Sequence, residues 1–311
     1  LYEYRSMDTV VKGHAKINWK LEVLGPFPDQ HPNAGFTELR SVISLIELHD
    51  RVRIQCERDE SGSVRIHSNH PDVPQTANQR AEHNVCFKAI QALRKHFPEL
   101  CNYAFEIQIE KNLPLAGGLG GSSTDGAALL RAAVDLLSLD LNRKELLELA
   151  ATFGSDTPFF ATGDKLALIE GRGERVTTLT PPPTPAHLVL LNPRRELTVS
   201  EVFGSLTQVN PTENESLARR PALLKRYDSI QELTNLSHND LEQAPYVKSS
   251  FPELPEIKST MCNAGCTLAQ MSGSGATVFG VCSTAQHAAS VAAALRDTFP
   301  LFDVLTSATL I

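Results

Sequence analysis

Residues 114–123 read Pro114-Leu115-Ala116-Gly117-Gly118-Leu119-Gly120-Gly121-Ser122-Ser123. Four glycines around Leu119 remove the Cβ atoms that would block the backbone, so successive N–H groups can turn toward one concavity. Ser122 and Ser123 add hydroxyls suited to capping a helix. Upstream, Tyr103 to Glu110 alternates Phe105, Ile107 and Ile109 with other residues as a strand does, and downstream an apolar helical pattern runs from Asp125 to Leu137. Strand, glycine loop, helix is the setting in which a helix N-terminus, with roughly half a unit of positive charge, holds a di- or triphosphate. No Lys follows the glycines, so this is not the P-loop, and G-G-L-G-G does not match the dinucleotide fingerprint G-x-G-x-x-G. Read from residues alone, a flexible turn is the other reading.

On either side the chain has a recognisable order. Val10 to Val23 is strand-forming, interrupted by the polar Lys16-Ile17-Asn18, and Ser41 to Ile54 is a second β-rich run. Asn84 to His96 places Val85, Phe87, Ile90, Ala92 and Leu93 near helical spacing, and a helix from Arg143 to Phe153 follows the one after the glycine loop. The prolines Pro181-Pro182-Pro183 and Pro185 separate these from a strand-like His187 to Leu191, which opens a second lobe. Thr207 to Gln231 is polar and turn-rich, a surface connection, and Thr267 to Ile311 reads strand, helix, strand around Ala285 to Leu295.

Composition narrows the function. A chain of 311 residues, 41% hydrophobic, supports about two domains of ~150 residues each. The formal charge of −7 has the wrong sign for general attraction to nucleic acid or to a membrane surface, so positive charge facing an anionic small molecule has to be local. No run approaches the ~20 apolar residues of a membrane span, and Leu1 to Met7 lacks the apolar core of a secretory signal. A cytoplasmic protein with reduced thiols is expected, because six cysteines in this length cannot form a disulfide scaffold. Cys262 and Cys266, spaced CxxxC without a matching Cys/His pair, read as buried thiols, and no structural metal is expected.

Three motifs in order resemble the GHMP kinases, the superfamily of galactokinase, homoserine kinase and mevalonate kinase. They are Lys16-Ile17-Asn18, the loop Pro114 to Ser123, and Met271-Ser272-Gly273-Ser274-Gly275-Ala276-Thr277-Val278-Phe279. Within the superfamily, Ala15 to Asn18, Gly154-Ser155-Asp156-Thr157-Pro158-Phe159-Phe160, Glu170-Gly171-Arg172-Gly173-Glu174 and Asn239-Asp240-Leu241-Glu242 are most similar to the 4-diphosphocytidyl-2-C-methyl-D-erythritol kinases.

The resemblance implies an α+β, two-lobed fold, with a ribosomal protein S5 domain 2-like lobe over residues 7–165 and a ferredoxin-like lobe over residues 166–311. It implies ATP with Mg²⁺ and phosphorylation of an alcohol in non-mevalonate isoprenoid synthesis. Asp156 becomes the catalytic base and Lys16 its electrostatic partner. The ATP site takes Asn84, Lys111 and all ten residues from Pro114 to Ser123, and the acceptor meets Asn18, Phe36, Thr37, Ser272, Gly273 and Ser274.

The residues themselves allow plainer readings. Asp156 before Thr157-Pro158 reads as a helix cap, Lys16 as a snorkelling surface lysine, Asn84 as a cap, Lys111 as an exposed charge, and Ser272 to Gly275 as a turn.

The acceptor segment departs from the family. Where the family reads Gly-Tyr-His-Glu-Leu, with Tyr stacking on cytosine and His hydrogen-bonding it, this chain has Gly35-Phe36-Thr37-Glu38-Leu39. Phe36 keeps a stacking face, worth ~1–3 kcal/mol against a base, but Thr37 is too short for the histidine's bond. The stretch from Pro26 to Ala34 is longer than usual and holds His31, a substitute donor, and Trp19 replaces an aliphatic residue or Phe. Two alternatives follow: another small-alcohol kinase of homoserine or mevalonate type, or a non-catalytic nucleotide-binding paralogue.

Overall fold

A computed structural model describes residues 7–206, 223–224 and 226–311. In chain order the elements are β1 (Met7–Pro26), β2 (Thr37–Arg58), β3 (Val64–Ser68), α1 (Val85–His96), β4 (Tyr103–Glu110), α2 (Gly121–Leu136), α3 (Arg143–Ala151), α4 (Thr157–Thr162), β5 (Leu166–Gly171), β6 (Arg175–Thr178) and β7 (His187–Asn192). There follow α5 (Val199–Ser205), α6 (Ile230–Leu236), β8 (His238–Asn239), α7 (Pro245–Ser250), α8 (Leu254–Asn263), β9 (Leu268–Met271), β10 (Val278–Cys282), α9 (Ala285–Thr298) and β11 (Asp303–Ala308).

Two compact units share them, and they are not consecutive halves. The first comprises Leu1–Ala15, His49–Leu113 and Gly120–Gly163; the second comprises Lys16–Leu48, Pro114–Leu119 and Asp164–Ile311. One crossing falls beside the expected boundary at residue 165. The others arise because β1 and β2 each pass through both units and because the glycine loop changes unit between Leu119 and Gly120.

In the first unit β4 pairs antiparallel with the later half of β2 and parallel with β3. The alternation anticipated for β4 sets Phe105, Ile107 and Ile109 opposite Cys56, Ile54 and Val52, all buried. Helix α1 buries Cys86, Ala89, Ile90 and Leu93, the i, i+3, i+4, i+7 stripe of one face. It packs on α2, which packs on α4. Closeness explains Gly126: a Cβ there would lie 2.4 Å from Val85 Cγ1.

In the second unit the early half of β2 pairs with β5, β5 with β6, and β1 runs parallel to β8. A separate antiparallel sheet has the order β11-β7-β10-β9, with α9 packed on β7, β10 and β11 and α8 on β9 and β10. Its apolar core includes Leu191, Ile257, Met271, Val278 and Leu295. Trp19 is fully buried; its Nε1 donates to Ser44 Oγ at 2.8 Å, and its ring meets Phe279 edge-on at 5.8 Å.

Several expectations shift. β1 runs through Lys16-Ile17-Asn18 without a break, because both polar side chains find partners inside the unit. Helix α2 begins at Gly121 rather than at Asp125, since its first turn, Gly121 to Thr124, has no apolar residue to reveal it. Cys266 is buried as expected but Cys262 is exposed. Of the connection expected over Thr207 to Gln231, residues 207–222 and 225 lie outside the described residues.

Candidate functional site

Lys16 and Asn18 lie two residues apart on β1 and therefore share a face. Lys16 Nζ donates to Asn18 Oδ1 at 2.6 Å, and Asn18 Nδ2 donates to Ser41 Oγ on β2 at 2.8 Å. Only 4% of Lys16 is exposed, so it is not a snorkelling surface lysine. Its backbone N–H donates to Leu119 O at 3.0 Å, tying β1 to the glycine loop.

In the second unit the loop interleaves with Ser272–Gly275. A Cβ on Gly118, whose φ is +71°, would stand 2.0 Å from Ser272 O; one on Gly117 would stand 2.6 Å from Thr277 Oγ1 and 2.8 Å from Asn192 Nδ2. Ser272 Oγ donates to Gly118 O and Thr277 N to Gly117 O. Gly273, at φ +56°, completes the contact: a Cβ there would lie 2.8 Å from Lys16 Nζ. Ser274 is the most exposed residue of this turn. Three motifs far apart in sequence thus meet in one place.

In the first unit Gly120 (φ +76°) is the N-cap of α2 and, being glycine, makes no side-chain capping bond. Ser122 and Ser123 sit in the first turn rather than at the cap position, beside the positive end of the helix dipole. Asp156 stands at the N-cap position of α4 yet makes no capping bond, so the plainer reading of that residue is not realised. Gly154 brings this turn against α2: a Cβ on it would lie 3.5 Å from Ser123 Oγ.

Two residues expected at the nucleotide also have partners within the fold. Asn84 Oδ1 accepts from Cys86 N at 2.8 Å as the cap of α1, and its Nδ2 donates to Pro74 O. The Lys111 side chain, 4% exposed, lies between Asp50 and Asp125, which both accept from its Nζ, the latter at 2.8 Å. Burial pulls its pKa down, but the two carboxylates more than offset this and hold it above the ordinary lysine value.

Near the acceptor segment, Phe36 is 47% exposed with the Arg172 guanidinium 4.8 Å from its ring centroid. Asn33 Nδ2 donates to Glu174 Oε1 at 3.0 Å while Glu174 Oε2 accepts from Arg172 N, so the Glu170–Glu174 turn braces the 27–36 loop. Thr37 is the first residue of β2 and is partly exposed. His31 stacks on Phe27 at 4.4 Å, and its Nδ1 accepts from Asn33 N.

Sequence reasoning missed the struts. Asn192 Nδ2 donates to Thr277 Oγ1 behind Gly117. Asn239 Nδ2 donates to both Met271 O and Gly273 O, and Glu242 Oε1 accepts from Met271 N. The Asn239–Glu242 block was visible as a family motif, but its role of holding the second glycine turn depends on a partner some thirty residues away.

The description "GHMP kinases N terminal domain" matches residues 84–164 and "GHMP kinases C terminal" matches residues 216–301. The 4-diphosphocytidyl-2-C-methyl-D-erythritol kinase of Citrifermentans bemidjiense is 34% identical over 92% of this chain and 94% of its own length. That of Gloeobacter violaceus is 36% identical over 93% and 91%. A crystal structure of 4-(cytidine 5'-diphospho)-2C-methyl-D-erythritol kinase superposes with a TM-score of 0.71 at 27% identity, covering 96% of this chain and 98% of that one. Homoserine kinase from Cytophaga hutchinsonii, at a TM-score of 0.67 and 17% identity over 100% of this chain and 96% of its own, shares the fold. The fold is the α+β fold of these enzymes, and the chain belongs to the GHMP kinases, in the family of the 4-diphosphocytidyl-2-C-methyl-D-erythritol kinases.

Proposed function

We propose that the protein transfers the γ-phosphoryl group of ATP to the 2-hydroxyl of 4-diphosphocytidyl-2-C-methyl-D-erythritol, a kinase step of non-mevalonate isoprenoid synthesis. The observation that carries this reading is the meeting of Lys16, Gly118, Ser272 and Gly273 within hydrogen-bonding and van der Waals reach of one another. An ammonium held there beside two glycine turns suits the charge of a transferring phosphoryl group.

In this proposal the backbone from Pro114 to Ser123 and the N-terminus of α2 hold the phosphates. The glycines support the fit, because Cβ atoms at Gly117 and Gly118 would collide with Asn192, Thr277 and Ser272. Asp156 orients the acceptor hydroxyl and takes its proton, with Lys16 as its electrostatic partner. Asn18, Ser272, Gly273 and Ser274 position the alcohol, while Phe36 and Thr37 face the cytidine end. Mg²⁺, arriving with ATP, would neutralise phosphate charge.

Competition binding tests the acceptor. Cytidine diphosphate should compete better than uridine diphosphate; equal competition would instead favour another small-alcohol kinase, the reading that Thr37 in place of histidine supports.

A further inference from the structure

The loop's two ends leave the second unit and are fastened in the first, by side chains that no phosphate contact requires. Asp50 Oδ1 accepts from Asn112 N at 2.6 Å and Leu113 N at 2.8 Å, fixing the chain as it enters the loop. Asp50 Oδ2 accepts from Lys111 Nζ, and the same ammonium donates to Asp125 Oδ2 at 2.8 Å, in the second turn of α2 where the chain leaves the loop. A Cβ on Gly121, the first residue of α2, would lie 3.4 Å from Lys111 Nζ, so the cluster sits directly under the helix N-terminus.

Two further facts set this cluster apart from a neutral brace. Asp125 is almost fully buried, and among the described residues its Oδ1 has no hydrogen-bond partner; it faces the backbone of β1 at Gly13. One ammonium against two carboxylates leaves a charge of −1 when both are ionised, beside the helix end that would receive an anion. A negative group there already satisfies the positive end of the dipole and opposes phosphate; a neutral cluster leaves that end to the ligand.

We propose that Asp50, Lys111 and Asp125 are positioning residues for the phosphoryl donor: their side chains fix both ends of the glycine loop and set the charge beneath the N-terminus of α2, and through these they govern nucleotide affinity. The inference rests on the ATP site proposed above. Asp125 is the member able to change state near neutrality. Burial raises its pKa, Lys111 lowers it and Asp50 raises it again, to about 7. Of the elements around it, α1 presents Cys86, whose buried thiol is pushed well up, and β1 approaches it at Gly13. His14 and His49 flank Gly13 and Asp50 in sequence and pair with each other on the opposite strand face.

Calorimetric binding of ADP, which needs no acceptor, tests this between about pH 6 and about pH 8. Wild-type affinity is expected to fall ~3- to 10-fold as pH rises through about 7, with proton uptake on binding that varies with buffer ionisation heat. Asp125→Asn keeps an oxygen for Lys111 but cannot ionise, so it should lose the fall through about pH 7, keep only the pH dependence of the ADP phosphate itself, and match wild type at the acid end. Asp125→Ala, which breaks the clamp, should raise KM for ATP ~10-fold while kcat falls less. A merely structural role would lower stability without changing the pH profile. Asp125→Asn with the wild-type pH dependence would overturn the proposal; failure of wild type itself to bind ADP would overturn the ATP-site reading and the clamp with it.

Discussion

Gly118 and Ser272, 154 residues apart, pack main chain against main chain: the position of a Cβ on Gly118 falls 2.0 Å from the Ser272 carbonyl oxygen. Neither partner can swing aside as a flexible side chain would. Gly118→Ala adds a left-handed conformation, at about 1–2 kcal/mol, to a backbone overlap that should bring the total to roughly 3 kcal/mol or more. Gly35, at φ +87° with nothing within 4 Å, is the control, and Gly35→Ala should cost only about 1 kcal/mol. Chemical unfolding of both variants reads the difference, and comparable losses would contradict the interleaving of the two turns.

Asp156 stands at the start of α4 without acting as its cap, so removing its charge should not unfold that helix. Asp156→Asn should lose turnover by ~10²–10⁴-fold while ATP affinity stays near wild type. Steady-state kinetics with nucleotide binding checks it; lost ATP affinity with preserved turnover would contradict the assigned role.

A carboxyl raised in the fold stabilises most when protonated. Asp125, raised from 3.8 to about 7, contributes stability that is fully present below its unfolded value and is lost as pH climbs through about 7. Urea midpoints should therefore favour Asp125→Asn progressively over wild type between about pH 5 and about pH 8. A constant difference between the two proteins would mean that the group does not titrate there.

Trp19 occupies a site where a smaller apolar residue would leave no donor behind. Ser44→Ala strands its buried indole N–H and should cost about 1–3 kcal/mol, read as a lowered Tm.

What the sequence disclosed and what it hid have separate physical causes. The glycine loop was legible because the absence of Cβ is written in the residue type, and β4 and α1 were legible because their apolar residues keep periods of two and 3.6. β5 was missed because all six residues from Leu166 to Gly171 are buried, which erases alternation. Burial of Lys16 could not be told from snorkelling, since the deciding partners are Asn18 and the main chain of Gly273. The partners of Lys111 were hidden for a similar reason: Asp50 lies 61 residues away and Asp125 lies 14, and only folding makes them its neighbours.

Release of ADP by the purified protein with Mg·ATP and 4-diphosphocytidyl-2-C-methyl-D-erythritol, beside homoserine, mevalonate and no acceptor, bears most directly on the proposed reaction. Turnover with the cytidylyl alcohol alone is the expected result, and would make Phe36 and Thr37 a tolerated variation of the base-binding segment. Turnover with homoserine or mevalonate instead, or with no acceptor at all, would contradict it.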